Sequence, residues 1–188
     1  QTTYSRFDSL DVRHDLSKPA VVRFRAAQSH AVSCMYAGRP AEVRSAALLM
    51  LDMATELKQD TLLAASYTTM AYANRDNDPE KSLEQLYKGL EYAERGGDRG
   101  QIGWIQKEIG VLFKQIGQFR EAITWLKRSE SRITDISEVN RMACHTSESY
   151  SGLGLLDSAL FYAQRSNVIT SPAFDPYGYS RSQLILGK

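Results

Sequence analysis

The chain of 188 residues lacks several features that would assign it to a specialised class of protein. It has only two cysteines and a net charge of +1, so neither a disulfide framework nor nucleic-acid binding through bulk charge is expected. No run of about 18 apolar residues is present, and we therefore expect no membrane span in this segment. With 43% hydrophobic and 24% charged residues, the composition is that of an ordinary folded protein.

Motifs of catalysis and of metal binding are also missing. His14, His30 and His145 are not spaced so that they could share a metal ion, and no phosphate loop or nucleophile elbow occurs. Cys144 and His145 are adjacent, and adjacent residues of a helix point in different directions. The sequence thus predicts no catalytic residues, no metal ligands and no cofactor, and a protein that is not an enzyme.

A pattern of small and aromatic residues recurs along the chain. Gly117 returns as Gly154 and Ala122 returns as Ala159, a shift of 37 residues in both cases (154 − 117 and 159 − 122). A period of this length is typical of stacked supersecondary units rather than of one globular core. The best-preserved unit contains Ile109, Gly110, Phe113, Gly117, Phe119 and Ala122, and the next contains Ser147, Tyr150, Gly154, Leu156 and Ala159.

The earlier units keep less of this pattern. The pair Thr69-Met70 and Ser82 lie 40 residues before their counterparts, and Ser45 lies a further 37 residues before Ser82. In the first unit, we assign Val32-Ser33 to the large-small pair and Tyr36 to the aromatic position. Cys34 and Cys144 then lie in first helices with two units between them, so a mutual disulfide is not expected.

Apolar residues follow the three-four spacing of helices throughout. Asp78-Pro79 is typical of a helix start, Gly96-Gly97 of a helix end, and Asp98 of a cap for the next helix. We predict an N-terminal cap segment over residues 1–19 and a repeat array over residues 20–188, with about four helix pairs and the start of a fifth. The predicted pairs are 20–37 with 40–58, 61–75 with 79–95, 99–116 with 119–133, and 137–152 with 156–170.

At these residues the chain resembles the tetratricopeptide repeat (TPR) family. The resemblance implies an all-α solenoid, a right-handed superhelix of antiparallel helix pairs, in which small residues allow close helix contact. It also implies a non-catalytic scaffold that binds proteins or peptides. Units of 37 and 40 residues are longer than the usual TPR unit of about 34. Similar lengthened arrays occur in bacterial sensor kinases and regulators, which favours a sensing or docking module of a larger bacterial signalling protein.

In TPR proteins the first helices of successive pairs line a concave face, where the resemblance places the ligand. Aromatic side chains there would anchor a ligand side chain, Asn74 would hydrogen-bond an extended peptide, and the cations would meet carboxylates. The alternative is that Trp104 belongs to the core between repeats and that the charges form a solvated face. The candidate partner-binding residues are Tyr67, Asn74, Trp104, Lys107, Lys114, Arg141, Glu148 and Arg181.

Two other functions remain open at this stage. The array could serve self-association as a homo-oligomer, or it could act as an adaptor in secretion or at the outer membrane. A two-carboxylate clamp for chaperone tails is excluded, because Val111 follows Lys107 where the clamp requires Asn, and because His30 and Tyr67 replace the clamp Lys in the earlier units.

The two ends of the sequence suggest a longer parent protein. The chain begins at Gln1 rather than Met, as it would after removal of a signal peptide or in a segment of a larger protein, and an extracytoplasmic (periplasmic) location is favoured over a cytoplasmic one. Leu186-Gly187 restarts the packing pair 40 residues after Ser147 (187 − 147). We therefore expect further repeat residues after Lys188.

Overall fold

The computed structural model describes residues 13–169, and within this range the chain is helical, with no strand. The predicted all-α fold built from helix pairs is confirmed, and no helix end differs from its predicted position by more than three residues. Arg181 and the start of a fifth repeat lie outside the described residues. The helices are α1 (Ala20–Tyr36), α2 (Pro40–Leu57), α3 (Asp60–Asn74), α4 (Pro79–Gly96), α5 (Arg99–Gln115), α6 (Phe119–Glu130), α7 (Ile136–Gly152) and α8 (Leu156–Ile169).

The described residues form two compact units, unit 1 up to Gln101 and unit 2 from Ile102 onward. In unit 1, α1 packs on α2, α2 on α3 and α3 on α4. Buried Phe24, Met50 and Met53 belong to the core cluster formed by α1 and α2. Unit 2 contains α5 from its fourth residue onward together with α6, α7 and α8, and α7 packs on both α6 and α8. None of the described helices is both long enough and apolar enough to cross a membrane.

Three of the turns within helix pairs are closed in the same way. Gly38, Gly117 and Gly154 adopt positive φ angles of 66°, 80° and 73°, a conformation that glycine reaches without steric cost. The residue after each glycine donates its backbone N–H to the carbonyl five residues earlier, at 2.9–3.0 Å. This closure satisfies the last carbonyls of the helix and reverses the chain.

The predicted start and the predicted end of α4 are both confirmed. Asp78 accepts a hydrogen bond at 3.0 Å from the backbone N–H of Lys81, and Pro79 is the first residue of the helix. Gly97 ends α4 in the left-handed conformation with φ of 71°. Asp98 then accepts from the backbone N–H of Gln101 at 3.0 Å, at the start of α5.

The small residues of the repeat pattern lie where helices of a pair touch. A Cβ on Gly110 would lie 2.8 Å from Cγ of Leu126 and 3.1 Å from the carbonyl oxygen of Ala122, so only glycine fits without a shift. Ser147, 37 residues later, donates its hydroxyl to the carbonyl oxygen of Ala159 at 2.6 Å. At the equivalent position, the close approach of the two helices is thus made possible by a glycine in one pair and is bridged by a serine hydrogen bond in the next pair.

The register predicted for the first pair is wrong by two residues. Val32 is 40% exposed and Tyr36 is 90% exposed, so neither fills the space between helices. A shift of two residues turns a helix face by about 200°, which exchanges the buried side for the exposed side. The buried positions are Ala31, Cys34 and Val43, each two residues before the predicted Ser33, Tyr36 and Ser45.

Candidate partner-binding face on α5 and α7

Helices α5 and α7 are the first helices of two successive pairs. Their charged side chains contact one another in two separate clusters within unit 2. We call this surface the α5–α7 face. Its first cluster consists of Trp104, Lys107, Glu108, Glu138 and Arg141, and its second cluster consists of Lys114, His145 and Glu148.

Lys107 is the centre of the first cluster. Only 5% of this residue is exposed, and its Nζ lies 2.7 Å from Oε2 of Glu138 and 3.0 Å from Oε1 of Glu108. The same nitrogen lies 3.4 Å from the ring centroid of Trp104, which places the ammonium against the indole face. Two carboxylates and an aromatic ring therefore replace the water that this buried cation has lost.

Glu138 joins α5 to the exposed part of the cluster. Its Oε1 accepts a hydrogen bond from the guanidinium of Arg141, one turn further along α7. Asp135 caps α7 by accepting from the backbone N–H of Glu138 at 3.0 Å, which fixes the first turn of the helix. Arg141 remains open to solvent, with 55% of its side chain exposed.

The second cluster is smaller and less buried. Lys114 donates to Oε2 of Glu148, and its Nζ lies 3.1 Å from Nδ1 of His145. The side chains of Lys114, His145 and Glu148 are 15%, 14% and 24% exposed. Water therefore reaches this cluster more readily than it reaches Lys107.

The charges of the α5–α7 face balance one another. Lys107, Lys114 and Arg141 supply three positive charges, and Glu108, Glu138 and Glu148 supply three negative charges, so the charges of these six side chains sum to zero. The sequence indicated cations that would meet carboxylates of a ligand. The structure shows that each of these three cations already has a carboxylate partner within the chain, and of the three only Arg141 has a side chain that is more than half exposed.

The two predicted residues of unit 1 have partners of their own. Tyr67 stacks on Tyr92, with ring centroids 5.6 Å apart and ring planes 7° from parallel. Asn74 is 3% exposed, accepts from Arg44 at 2.6 Å and donates to Oε1 of Gln85 at 2.8 Å. Its amide links α2, α3 and α4, so Asn74 contributes to the packing of unit 1, and the peptide contact expected from the sequence stays a prediction.

Sequence reasoning missed Glu138, the residue that joins the two helices of the first cluster. Its spacing is nevertheless informative, because Glu138, Arg141, His145 and Glu148 follow one another at intervals of three, four and three residues. This spacing places all four on one side of α7. A run of polar residues at helical spacing on a first helix was therefore the available signal.

Comparisons with known proteins add information on the fold. The chain matches no protein-family model and no curated protein sequence. It is similar in structure to BtubC (BKLC) from P. vanneervenii, with a TM-score of 0.69 and 15% sequence identity. The match covers 81% of this chain and 65% of the BtubC chain. At this identity the likeness shows the fold alone, an all-helical architecture of repeated helix pairs.

Proposed function

We propose that this chain is a non-catalytic protein-binding module and that its α5–α7 face holds an extended segment of a partner protein. The observation that supports this function is that an exposed indole and an exposed guanidinium are both held by one buried ion pair. Trp104 is 42% exposed and the side chain of Arg141 is 55% exposed, while Lys107 and Glu138 beneath them are buried. Tryptophan and arginine are the residues most enriched among binding hot spots.

The buried ion pair of Lys107 and Glu138 gives the two exposed side chains a defined position before a ligand binds. Lys107 contacts the ring of Trp104 at 3.4 Å, and Glu138 binds both Lys107 and Arg141. Side chains that are already ordered lose less conformational entropy when a ligand binds. The face therefore suits an apolar or aromatic ligand side chain against Trp104 and an acceptor oxygen of the ligand at Arg141.

The balanced charge of the face limits the chemistry of the ligand. A strongly acidic segment would have to displace Glu138 from Arg141 and would gain little from long-range attraction. We expect a ligand of mixed apolar and polar character, bound with little dependence on salt concentration. The TPR resemblance and the lengthened repeats support a role as the sensing or docking module of a larger bacterial signalling or regulatory protein.

A peptide array probed with purified protein tests this function. Trp104→Ala and Arg141→Glu should each weaken the binding of the selected peptides by about tenfold or more, as expected for hot-spot residues. The matched controls are Trp125→Ala and Arg128→Glu on α6, where an arginine also lies over a tryptophan, 4.9 Å from the ring. Peptides that bind all four variants equally well would place the binding site elsewhere.

A second candidate function, self-association, is supported by apolar side chains at and before α8. Leu156 is 69% exposed and Phe161 is 60% exposed, and Leu155 and Leu160 are 51% and 46% exposed. Exposed apolar groups of this size often mark a contact with another protein. Size-exclusion chromatography with light scattering over a concentration series tests this, and Phe161→Asp should abolish any dimer that uses α8.

A dimer would also bear on the peptide-binding proposal. If the dimer survives Phe161→Asp and is instead lost in Trp104→Ala, the α5–α7 face is an interface between two copies of the chain. That result would contradict its assignment to a partner segment.

A further inference from the structure

Three side chains of unit 1 with different ligand atoms converge at the turn between α1 and α2. Sγ of Cys34 lies 3.4 Å from Nε2 of His30 and 3.5 Å from Oε2 of Glu42. Nε2 of His30 lies 3.8 Å from the same carboxylate oxygen. No other group of three or more such residues lies close enough to share a metal ion within the described part of the chain.

The local sequence explains this convergence. His30 and Cys34 are four residues apart, so they lie one above the other on the same side of α1. The turn at Gly38 then reverses the chain and brings the first turn of α2 back beside them. Arg39 donates to both oxygens of Glu42 at 3.1 Å, in an exposed pair that leaves the carboxylate room to move.

The three distances match those between the ligands of a tetrahedral zinc ion. Zinc bonds of about 2.3 Å to sulfur and about 2.0–2.1 Å to nitrogen or oxygen, at tetrahedral angles, separate the ligand atoms by about 3.3–3.6 Å. The observed separations of 3.4, 3.5 and 3.8 Å need an adjustment of only a few tenths of an ångström. The carboxylate can make that adjustment, because the side chain of Glu42 is 44% exposed.

We propose that Nε2 of His30, Sγ of Cys34 and Oε2 of Glu42 bind one zinc ion, with water at the fourth position. A mixture of nitrogen, sulfur and oxygen ligands suits zinc, whereas magnesium and calcium prefer oxygen alone. Cys34 is fully buried, but the side chain of His30 is 20% exposed. The metal therefore has a path from solvent past His30 and Glu42 to the thiol.

Metal binding would change the chemistry of the thiol. Burial raises the pKa of Cys34, with a further contribution from its hydrogen bond to Glu42, so the thiol keeps its proton in the metal-free chain. When zinc binds, sulfur forms a bond to the metal, the proton goes to solvent, and the hydrogen bond to Glu42 is replaced by coordination. The ion would then link α1 to α2 and stabilise the first helix pair.

Cobalt titration tests this site, because a thiolate bound to cobalt gives a charge-transfer absorption band in the near ultraviolet. The wild-type chain should show the band with one equivalent of cobalt, and added zinc should remove it. Cys34→Ala should lose the band, and Glu42→Gln should weaken cobalt binding by tenfold or more. Cys144→Ala, which removes the second buried cysteine, and His14→Ala should both behave as the wild type does.

Each result decides the proposal. Absence of the band in the wild-type chain, its persistence in Cys34→Ala or its loss in Cys144→Ala would overturn the site. Should Cys34→Ala fail to fold, Glu42→Gln serves in its place, since circular dichroism can verify its helix content. Cobalt binding by Glu42→Gln at wild-type affinity would also overturn the proposal. The site is independent of the α5–α7 face, because it lies in unit 1 and its test needs no partner.

Discussion

The two clusters of the α5–α7 face use the same pair of residue types, a lysine on α5 and a glutamate on α7, in different surroundings. In the first cluster the side chains of Lys107 and Glu138 are 6% and 10% exposed, and an indole covers the ammonium. In the second cluster Lys114 and Glu148 are 15% and 24% exposed, beside a histidine. A buried pair depends on its partner more than a partly hydrated pair does, because water cannot replace a partner that is lost.

The largest effect is expected from Glu138→Ala. This change leaves the buried ammonium of Lys107 with one carboxylate fewer and should lower the free energy of unfolding by about 3 kcal/mol. Urea unfolding followed by circular dichroism measures it. The matched control is Glu130→Ala, which removes an exposed pair with Arg165 and should cost less than about 1 kcal/mol. Equal losses in the two variants would mean that burial does not distinguish them.

An intermediate effect is expected from Ala122→Leu, which tests the close packing of α6 on α5, the helix that carries Lys107 and Lys114. Ala122 is fully buried and its carbonyl oxygen lies against Gly110, so a larger side chain should cost about 1–3 kcal/mol. Thermal unfolding measures the loss. Thr124→Leu is the control, because Thr124 is exposed on the same helix and its replacement should change stability by less than about 0.5 kcal/mol. An unchanged melting temperature in Ala122→Leu would contradict the register of α6.

The smallest effect is expected from Glu148→Ala in the second cluster. Lys114 is partly exposed and can regain water, so the loss should be about 1 kcal/mol. Added salt should reduce this loss and leave the loss from Glu138→Ala almost unchanged, because buried pairs are screened less. Unfolding curves at low and high salt measure both. An equal salt dependence of the two variants would show that the clusters are equally hydrated.

The helix bounds were predictable because the chain marks them with residues of specific backbone geometry. Gly117, Gly154 and the Asp78-Pro79 pair fix turns and helix starts whatever the surrounding tertiary structure. The register of the first pair was not predictable in the same way. Cys34 stands where the third and fourth units have Phe113 and Tyr150, whereas Tyr36 offers an aromatic residue two positions later on the exposed side of the helix, so the aromatic pattern predicts the wrong face.

The candidate site was only partly predictable for a related reason. Helical spacing brings Trp104, Lys107 and Arg141 to one side of unit 2, as the sequence indicated. Which carboxylate each cation contacts depends on how two helices cross, and Lys107 and Glu138 are 31 residues apart in the chain. The convergence of Glu42 on His30 and Cys34 depends on the turn at Gly38, which the spacing of the histidines does not reveal.

The burial of Lys107 also determines which chemical labels can detect a bound partner. Reagents that acylate amines need an accessible nitrogen, and this one lies against two carboxylates and the ring of Trp104. Lysine footprinting would therefore not label Lys107 at the centre of the α5–α7 face, whether or not a partner is bound. Oxidative labelling of the indole of Trp104 would instead report directly whether the face is covered, because that ring is 42% exposed in the free chain.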